Sequence, residues 1–167
     1  MMKHLYLIRH AKSSWSDPKL SDFARPLNKR GKRDAPLMGT RLSSVSPKPE
    51  IIISSPAKRA RRTARLIGGK LGFSKKDIIL DDQLYTFARE GLLDVITKTP
   101  DSFNVLAAVG HNYGITECAE WLSGENLDNI PTCGIVLLKF SVSSWSLIGP
   151  DTARVLLFDY PKLHAVS

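Results

Sequence analysis

The residues of this sequence that could do chemistry are two arginines and two histidines at widely separated positions. Arg9 and His10 are adjacent near the start, while Arg59 and His111 each follow a later hydrophobic run. Arginine stays charged and binds two oxygens of an anion at once, and a neutral imidazole can attack phosphorus to form a phosphoramidate. No carboxylates with metal-ligand spacing lie nearby, so this set favours phosphate chemistry in which arginines supply the positive charge and no cofactor or metal is required.

Each of these residues also has a purely structural interpretation. Arg59 alone would be one solvated cation in a basic helix, and His111 alone would be a capping residue that hydrogen-bonds the backbone. An Arg-His dipeptide is a weak motif by itself. The functional interpretation therefore depends on whether folding brings the four residues to one place.

Hydrophobic patterns predict the elements that must position these residues. Short apolar or β-branched runs predict strands at residues 5–9, 51–53, 78–80, 103–109, 134–140 and 154–158. Apolar stripes at helical spacing predict helices at residues 28–43, 56–71, 89–98 and 112–122, with Ser55 and Asn112 as N-caps. The alternation predicts an α/β fold, a single three-layer α/β/α domain over residues 1–167 with a mostly parallel central sheet flanked by helices.

In such a sheet the functional crevice lies at the carboxyl ends of the strands. Three predicted strand ends carry the residues singled out above, namely Arg9-His10, the segment 54–59 and Gly110-His111. We therefore expect them to meet at one edge of the sheet. The helices that follow would add backbone N–H donors at their N-termini.

Composition limits the functions that remain. The chain has 24 lysines and arginines against 16 aspartates and glutamates, a net charge of +8, which favours either an anionic partner or a solvated basic face. The basic residues concentrate in two clusters, Arg25, Lys29, Arg30, Lys32 and Arg33, and Lys58, Arg59, Arg61, Arg62 and Arg65. The sequence has no bilayer-length apolar run and no signal-peptide pattern, so we expect a cytoplasmic protein without a membrane partner. Both cysteines, Cys118 and Cys133, should be buried free thiols.

Four sequence blocks occur in an order that is typical of one enzyme family. They are residues 7–13 (LIRHAKS), 25–31 (RPLNKRG), 54–64 (SSPAKRARRTA) and 109–112 (VGHN). Together they resemble the motifs of the histidine phosphatase superfamily, also called the phosphoglycerate mutase-like superfamily. The resemblance implies that His10 is the phosphorylated nucleophile, that Arg9, Arg59 and His111 form a cationic phosphate pocket, and that Arg25 binds substrate.

The general acid of this family has no clear counterpart. Mutases and many acid phosphatases of the family protonate the leaving oxygen with a carboxylate, but the corresponding stretch here places Gln83 near the expected position. Asp81 and Asp82 are the candidates, and the alternative is that no acid exists. About thirty residues separate Gly72 from Phe103, which leaves no room for the large capping insertion of longer members. The sequence therefore resembles most the SixA-like phosphohistidine phosphatases, which are short and open.

These observations favour a phosphatase that removes phosphate from phosphohistidine on proteins, through a phosphohistidine enzyme intermediate. The alternative within the family is a general phosphomonoesterase that acts on small phosphorylated molecules. A basic nucleic-acid-binding protein is the alternative from another class, but no aromatic stacking platform or nucleic-acid motif accompanies the basic residues. We expect a monomer whose partner is a phosphorylated protein or a small phosphorylated substrate and not a nucleic acid.

Overall fold

The computed structural model describes residues 2–165. Within this range six strands form one sheet: β1 (Lys3–Arg9), β2 (Ile51–Ser54), β3 (Ile79–Leu80), β4 (Val105–Gly110), β5 (Ile135–Phe140) and β6 (Ala153–Asp159). The longer helices are α1 (Lys29–Leu42), α2 (Lys58–Lys70), α3 (Arg89–Thr97) and α4 (Gly114–Ser123). Short 3-10 helices lie at Asp22–Ala24, Lys75–Asp77, Asp82–Leu84, Trp145–Leu147 and Pro161–His164.

The sheet has the strand order β3-β2-β4-β1-β5-β6. Strands β3, β2, β4 and β1 are mutually parallel, whereas β5 runs antiparallel to both of its neighbours, β1 and β6. Five strands thus share one direction. This confirms the predicted α/β fold with a mostly parallel sheet and identifies β5 as the exception.

Both faces of the sheet are covered, as expected for parallel strands. Along β1, Leu5 and Leu7 point to the apolar cluster that includes the buried faces of α3 and α4, while Tyr6 and Ile8 point to the cluster with α1 and α2. All four side chains are buried. The period of two along the strand therefore places apolar residues in two separate cores, one on each side of the sheet.

Two helices begin later than the sequence predicted. Helix α2 starts at Lys58, and the Ser55 hydroxyl does not cap it: it accepts the Ala57 N–H and contacts His111 instead. Helix α4 starts at Gly114, and the Asn112 side chain accepts from the Thr116 N–H and hydroxyl. In both places the residues expected to open a helix form the turn that follows a strand, at the edge of the sheet where the predicted site residues lie.

The two cysteines are buried and free, as predicted. Burial also raises the pKa of each thiol to about 12, so neither is a reactive thiolate at neutral pH. Among residues 2–165 no helix combines the length and the hydrophobicity needed to cross a membrane.

Candidate active site

The pairing of the central strands brings the two predicted histidines together. In the parallel β1–β4 ladder Arg9 is the partner of Gly110, so the next residues, His10 and His111, leave the sheet side by side. Their ring centroids are 5.2 Å apart. The β2–β4 ladder ends in the same way with Ser54 opposite Val109, which places Ser55 beside His111. The strand-end prediction is therefore correct for the three neighbouring strands.

The backbone around His10 is fixed at several points. The His10 N–H donates to the Gly110 carbonyl, and the His10 carbonyl accepts from the Cys133 N–H, both at 3.0 Å. The next N–H, of Ala11, donates to the Thr63 hydroxyl of α2 at 2.9 Å. Hydrogen bonds thus connect the backbone at His10 to β4, to the turn before β5 and to α2. These bonds preorganise the position of the candidate nucleophile.

Hydrogen bonds determine which nitrogen of His10 is free to react. An arginine N–H can only donate, and the Arg59 Nε lies 3.4 Å from the His10 Nε2, which must therefore be the acceptor. The His10 Nδ1 then carries the proton and donates it to the Ala11 carbonyl at 2.7 Å. The lone pair of Nε2 consequently faces the cationic side of the site.

His10 is neutral at physiological pH. Its side chain is 8% exposed. Burial lowers the pKa of His10 to about 3, opposed in part by the hydrogen bond to the Ala11 carbonyl and assisted by His111, Arg59 and Arg9. A neutral imidazole with a directed lone pair is what nucleophilic attack requires.

His111 has the opposite arrangement of its ring nitrogens. The Arg59 Nη2 donates to the His111 Nδ1 at 3.3 Å, so the His111 Nε2 carries the proton and donates it to the Ser55 hydroxyl at 2.8 Å. Burial and the charges of Arg59 and Arg9 lower the pKa of His111 to about 3, against the opposing charge of Asp22. Both histidines therefore present unprotonated nitrogens towards one guanidinium.

Arg59 is the cation shared by both rings. Arg59 is 2% exposed and lies in the first turn of α2, the helix that follows β2. Its Nη1 donates to the Asp22 carbonyl at 2.6 Å, and its Nη2, which also donates to His111, donates to the Asp22 carboxylate at 3.0 Å. Asp22 thus holds the guanidinium in the orientation in which it faces His10 and His111.

Asp22 is the site residue that the sequence analysis missed. Its carboxylate accepts from Arg59, from the Arg25 Nη1 at 3.1 Å and from the Tyr85 hydroxyl at 2.7 Å. Partial burial raises its pKa, but the hydrogen bonds from Tyr85 and Arg59 outweigh this and lower the pKa of Asp22 to about 2. The spacing of three residues to Arg25 hinted at a local ion pair. The contact with Arg59, 37 residues away, had no local signal.

Arg9 is a further, partly buried cation near the two histidines. Its Nη1 donates to the Ile130 carbonyl at 2.8 Å, while its buried Nε has no hydrogen-bond partner among the described residues. Desolvation lowers the pKa of Arg9, and its charge lowers the pKa of both histidines. A buried N–H without a partner is costly, and an anion bound between the histidines would supply an acceptor.

Arg25 reaches this group through Asp22 and not through either histidine. Its Nε donates to the Ser14 carbonyl at 3.1 Å, a further bond goes to the Ser13 hydroxyl, and its guanidinium carbon lies 3.2 Å from the centroid of the Trp15 ring. Its role in substrate binding stays a prediction.

The stretch that holds the general-acid candidates Asp81 and Asp82 is followed by two aromatic residues that lie beside His111. The Asp81 carboxylate accepts the Gln83 N–H and caps the short helix Asp82–Leu84, and Asp82 is exposed. Tyr85 and Phe87, which follow, place their rings 5.4 Å from the His111 ring. Among residues 2–165 no group of three or more histidine, cysteine, aspartate or glutamate side chains could hold a metal ion.

Comparisons with known proteins agree with this geometry. The family model of the histidine phosphatase superfamily (branch 1) matches residues 5–88. An uncharacterized chloroplastic protein of Arabidopsis thaliana is 36% identical over 161 residues, which are 89% of this chain and 73% of the plant protein.

Solved structures give the same fold. SixA from Agrobacterium tumefaciens, described as a candidate phosphohistidine phosphatase, is 28% identical with a TM-score of 0.79 over 95% of this chain and 98% of its own. A mycobacterial glucosyl-3-phosphoglycerate phosphatase shares the fold at 14% identity, with a TM-score of 0.71 over 96% of this chain and 100% of its own. The chain therefore belongs to the histidine phosphatase superfamily, in agreement with the resemblance that its sequence blocks predicted.

Proposed function

We propose that this protein is a metal-independent phosphatase that removes the phosphoryl group from phosphohistidine side chains of other proteins. The phosphoryl group passes first to His10 and then to water. The observation that carries the proposal is the His10 Nε2, an unprotonated nitrogen that faces the Arg59 guanidinium 3.4 Å away and lies beside His111.

The surrounding cations suit a transferring phosphoryl group. Negative charge spreads over the equatorial oxygens in the transition state, and fixed donors stabilise it without reorganisation. Arg59 and the unpartnered Nε of Arg9 supply such donors. We propose that His111 contributes through its Nδ1, which takes up a proton as the phosphate dianion binds.

The choice of phosphohistidine rests on the leaving group. An alkoxide leaves poorly and needs a proton donor, whereas imidazole, whose conjugate acid has a pKa of about 6.5, leaves readily. The carboxylate that contacts the site arginines, Asp22, has a pKa lowered to about 2 and so is ionised at neutral pH. A site with an ionised carboxylate is better suited to a leaving group that needs no acid.

Two further features support this substrate. The Phe87 ring is 52% exposed and lies 5.4 Å from His111, where it could contact an incoming imidazole ring. The similarity to SixA from Agrobacterium tumefaciens, at 28% identity, points to the same chemistry.

The two free thiols are consistent with a cytoplasmic location, which we include in the proposal.

The reaction has two steps. The His10 Nε2 attacks phosphorus in line, the P–N bond of the substrate breaks, and its electron pair returns to the substrate ring, which leaves as neutral imidazole when its other nitrogen carries a proton. Water then attacks phospho-His10 and releases inorganic phosphate, and the electron pair of the second P–N bond returns to the His10 Nε2. The His10 Nδ1 keeps its proton throughout and donates it in a hydrogen bond to the Ala11 carbonyl.

A substrate panel tests the proposal. Phosphohistidine in a peptide should be hydrolysed at least about 100-fold faster, in kcat/KM, than phosphoserine in the same peptide or a sugar phosphate, because the latter two lack a leaving group that departs unaided. Chelation of divalent metals should leave the rate unchanged. Faster turnover of the phosphomonoesters would identify a general phosphomonoesterase instead.

A further inference from the structure

A second group of basic residues lies next to the active site and takes no part in the chemistry proposed above. We call it the α1–α2 basic cleft. It has a volume of about 310 Å³ and is lined by the cations Lys32, Lys58, Arg61, Arg62 and Arg65. Pro26 and Leu27 form the rest of its lining, so none of the described residues that line the cleft carries a carboxylate.

These cations have no counter-ion within the part of the chain that the structure describes. None of the five forms an ion pair with a carboxylate of residues 2–165. The Arg65 Nε is in addition buried without a hydrogen-bond partner among those residues. Arg25 and Arg59 of the active site, by contrast, donate to protein acceptors. The exposed cations of the cleft, Lys58 and Arg62, are therefore available to an anion from outside.

The placement of the cations on their helices is unfavourable for folding. Along α2, Arg61 and Arg62 lie three and four residues after Lys58 and four and three residues before Arg65, spacings at which like charges repel. Neither α1 nor α2 has an acidic residue in its first turn, although the helix dipole favours negative charge there. A bound anion would reduce the repulsion between these cations and would supply the negative charge that the helix N-terminus lacks. Both effects suggest a binding role for this face.

The cleft is lined by residues that are next to active-site residues along the chain. Pro26 and Leu27 directly follow Arg25, which bonds to Asp22, and Lys58 precedes Arg59 on α2. A protein whose phosphohistidine reaches His10 would therefore bring the residues that flank it near the cleft. The lining includes no aromatic side chain on which nucleic-acid bases could stack, which argues against a single-stranded nucleic acid.

We infer that the α1–α2 basic cleft docks an acidic segment of the protein that carries the phosphohistidine, and so selects acidic protein substrates. This inference rests on the proposed function for the identity of the substrate. Charge complementarity of this kind raises association rates and excludes partners of the wrong charge. Inorganic phosphate and small phosphorylated molecules would not span both sites.

The test compares two phosphohistidine peptides that differ only in whether aspartates or asparagines flank the phosphorylated residue. The wild-type protein should hydrolyse the aspartate peptide with a kcat/KM about tenfold higher, and salt should reduce this preference. In the double variant Lys58→Glu/Arg62→Glu, in which both changed residues are exposed, the ratio between the two peptides should fall to about one or below.

A matched variant controls for net charge. Lys75→Glu/Lys76→Glu makes the same charge change in the short helix Lys75–Asp77, which precedes β3 and so lies at the opposite end of the sheet from the active site. This variant should keep the wild-type ratio. An unaltered ratio in Lys58→Glu/Arg62→Glu, or an equal loss in both double variants, would overturn the docking inference while leaving the proposed function intact.

Direct binding separates the two claims. The unphosphorylated aspartate peptide should bind the wild-type protein and bind Lys58→Glu/Arg62→Glu at least about fivefold more weakly in fluorescence anisotropy. If neither phosphohistidine peptide is hydrolysed but this difference holds, the proposed function fails and the docking surface stands. Tighter binding of a single-stranded RNA, lost in the same variant, would instead make the cleft a nucleic-acid site and overturn the inference.

Discussion

The protein contains two groups of cations that lie side by side but are treated very differently by the fold. Arg25 and Arg59 of the active site are 6% and 2% exposed, and their guanidinium groups donate to specific backbone and side-chain acceptors. In the α1–α2 basic cleft, Lys58 and Arg62 are exposed and form no ion pairs with the described residues.

The same positive charge can thus serve two purposes. A guanidinium that must stabilise a transition state has to be fixed beforehand, so the protein places Asp22 and backbone carbonyls against it. Cations that steer or select a partner act over a longer range and need no fixed geometry, so they can remain exposed. The activity of the protein should therefore be sensitive to changes in the geometry of the active-site arginines.

Removal of the shared guanidinium should have the largest effect. Arg59→Met deletes the donors to the His10 Nε2 and the His111 Nδ1 and should lower kcat/KM for a phosphohistidine peptide about 100- to 1,000-fold. Arg154→Met, which removes an exposed arginine of β6, is the control and should keep the wild-type rate. A loss of less than about threefold for Arg59→Met would show that Arg59 only adds general positive charge.

The buried histidines should make stability depend on pH in the acidic range. Both have a folded-state pKa of about 3, below the ordinary 6.5, so between these values the unfolded chain binds more protons and folding stability falls as pH falls. Each histidine adds a slope of up to about 1.4 kcal/mol per pH unit.

Denaturant unfolding between pH 6.5 and about 4 measures this slope. The double variant His10→Asn/His111→Asn should lose most of it, while His4, whose pKa burial also lowers, is retained in both proteins. Equal slopes in the two proteins would contradict the assignment of His10 and His111 as neutral buried groups.

A smaller effect is expected at the carboxylate that holds the arginines. Asp22→Asn keeps the shape of the side chain but removes a negative charge that competes with phosphate for Arg59 and Arg25. Competitive inhibition by inorganic phosphate should strengthen about two- to tenfold, a modest change because the Asp22 side chain is 43% exposed to solvent. An unchanged or weaker inhibition would mean that Asp22 does not face the bound anion.

Much of the fold and part of the site were predictable because they depend on local patterns. The apolar runs of β1, β2 and β4 fix three parallel strands, and strand ends in such a sheet share one edge, so His10, Arg59 and His111 could be expected together. The register of Arg9 opposite Gly110 then makes the two histidines neighbours.

The remaining features depend on contacts that no local pattern encodes. Ser55 stands at a good N-cap position in the sequence, but its hydroxyl bonds to His111 and so belongs to the site. Helix α2 begins only at Lys58. Asp22 begins the short 3-10 helix Asp22–Ala24, and its carboxylate contacts Arg59 and Tyr85, which are distant in sequence. These tertiary contacts decided the roles of both residues.

The central claim, that the His10 Nε2 is the atom that accepts the phosphoryl group, can be tested by trapping the intermediate. The protein is mixed with a radiolabelled phosphohistidine protein, quenched rapidly in alkali and digested to peptides. The account predicts an acid-labile label on His10 that appears before inorganic phosphate and is absent from His10→Ala. Phosphate release by His10→Ala at the wild-type rate, or label on His111 and not on His10, would contradict it.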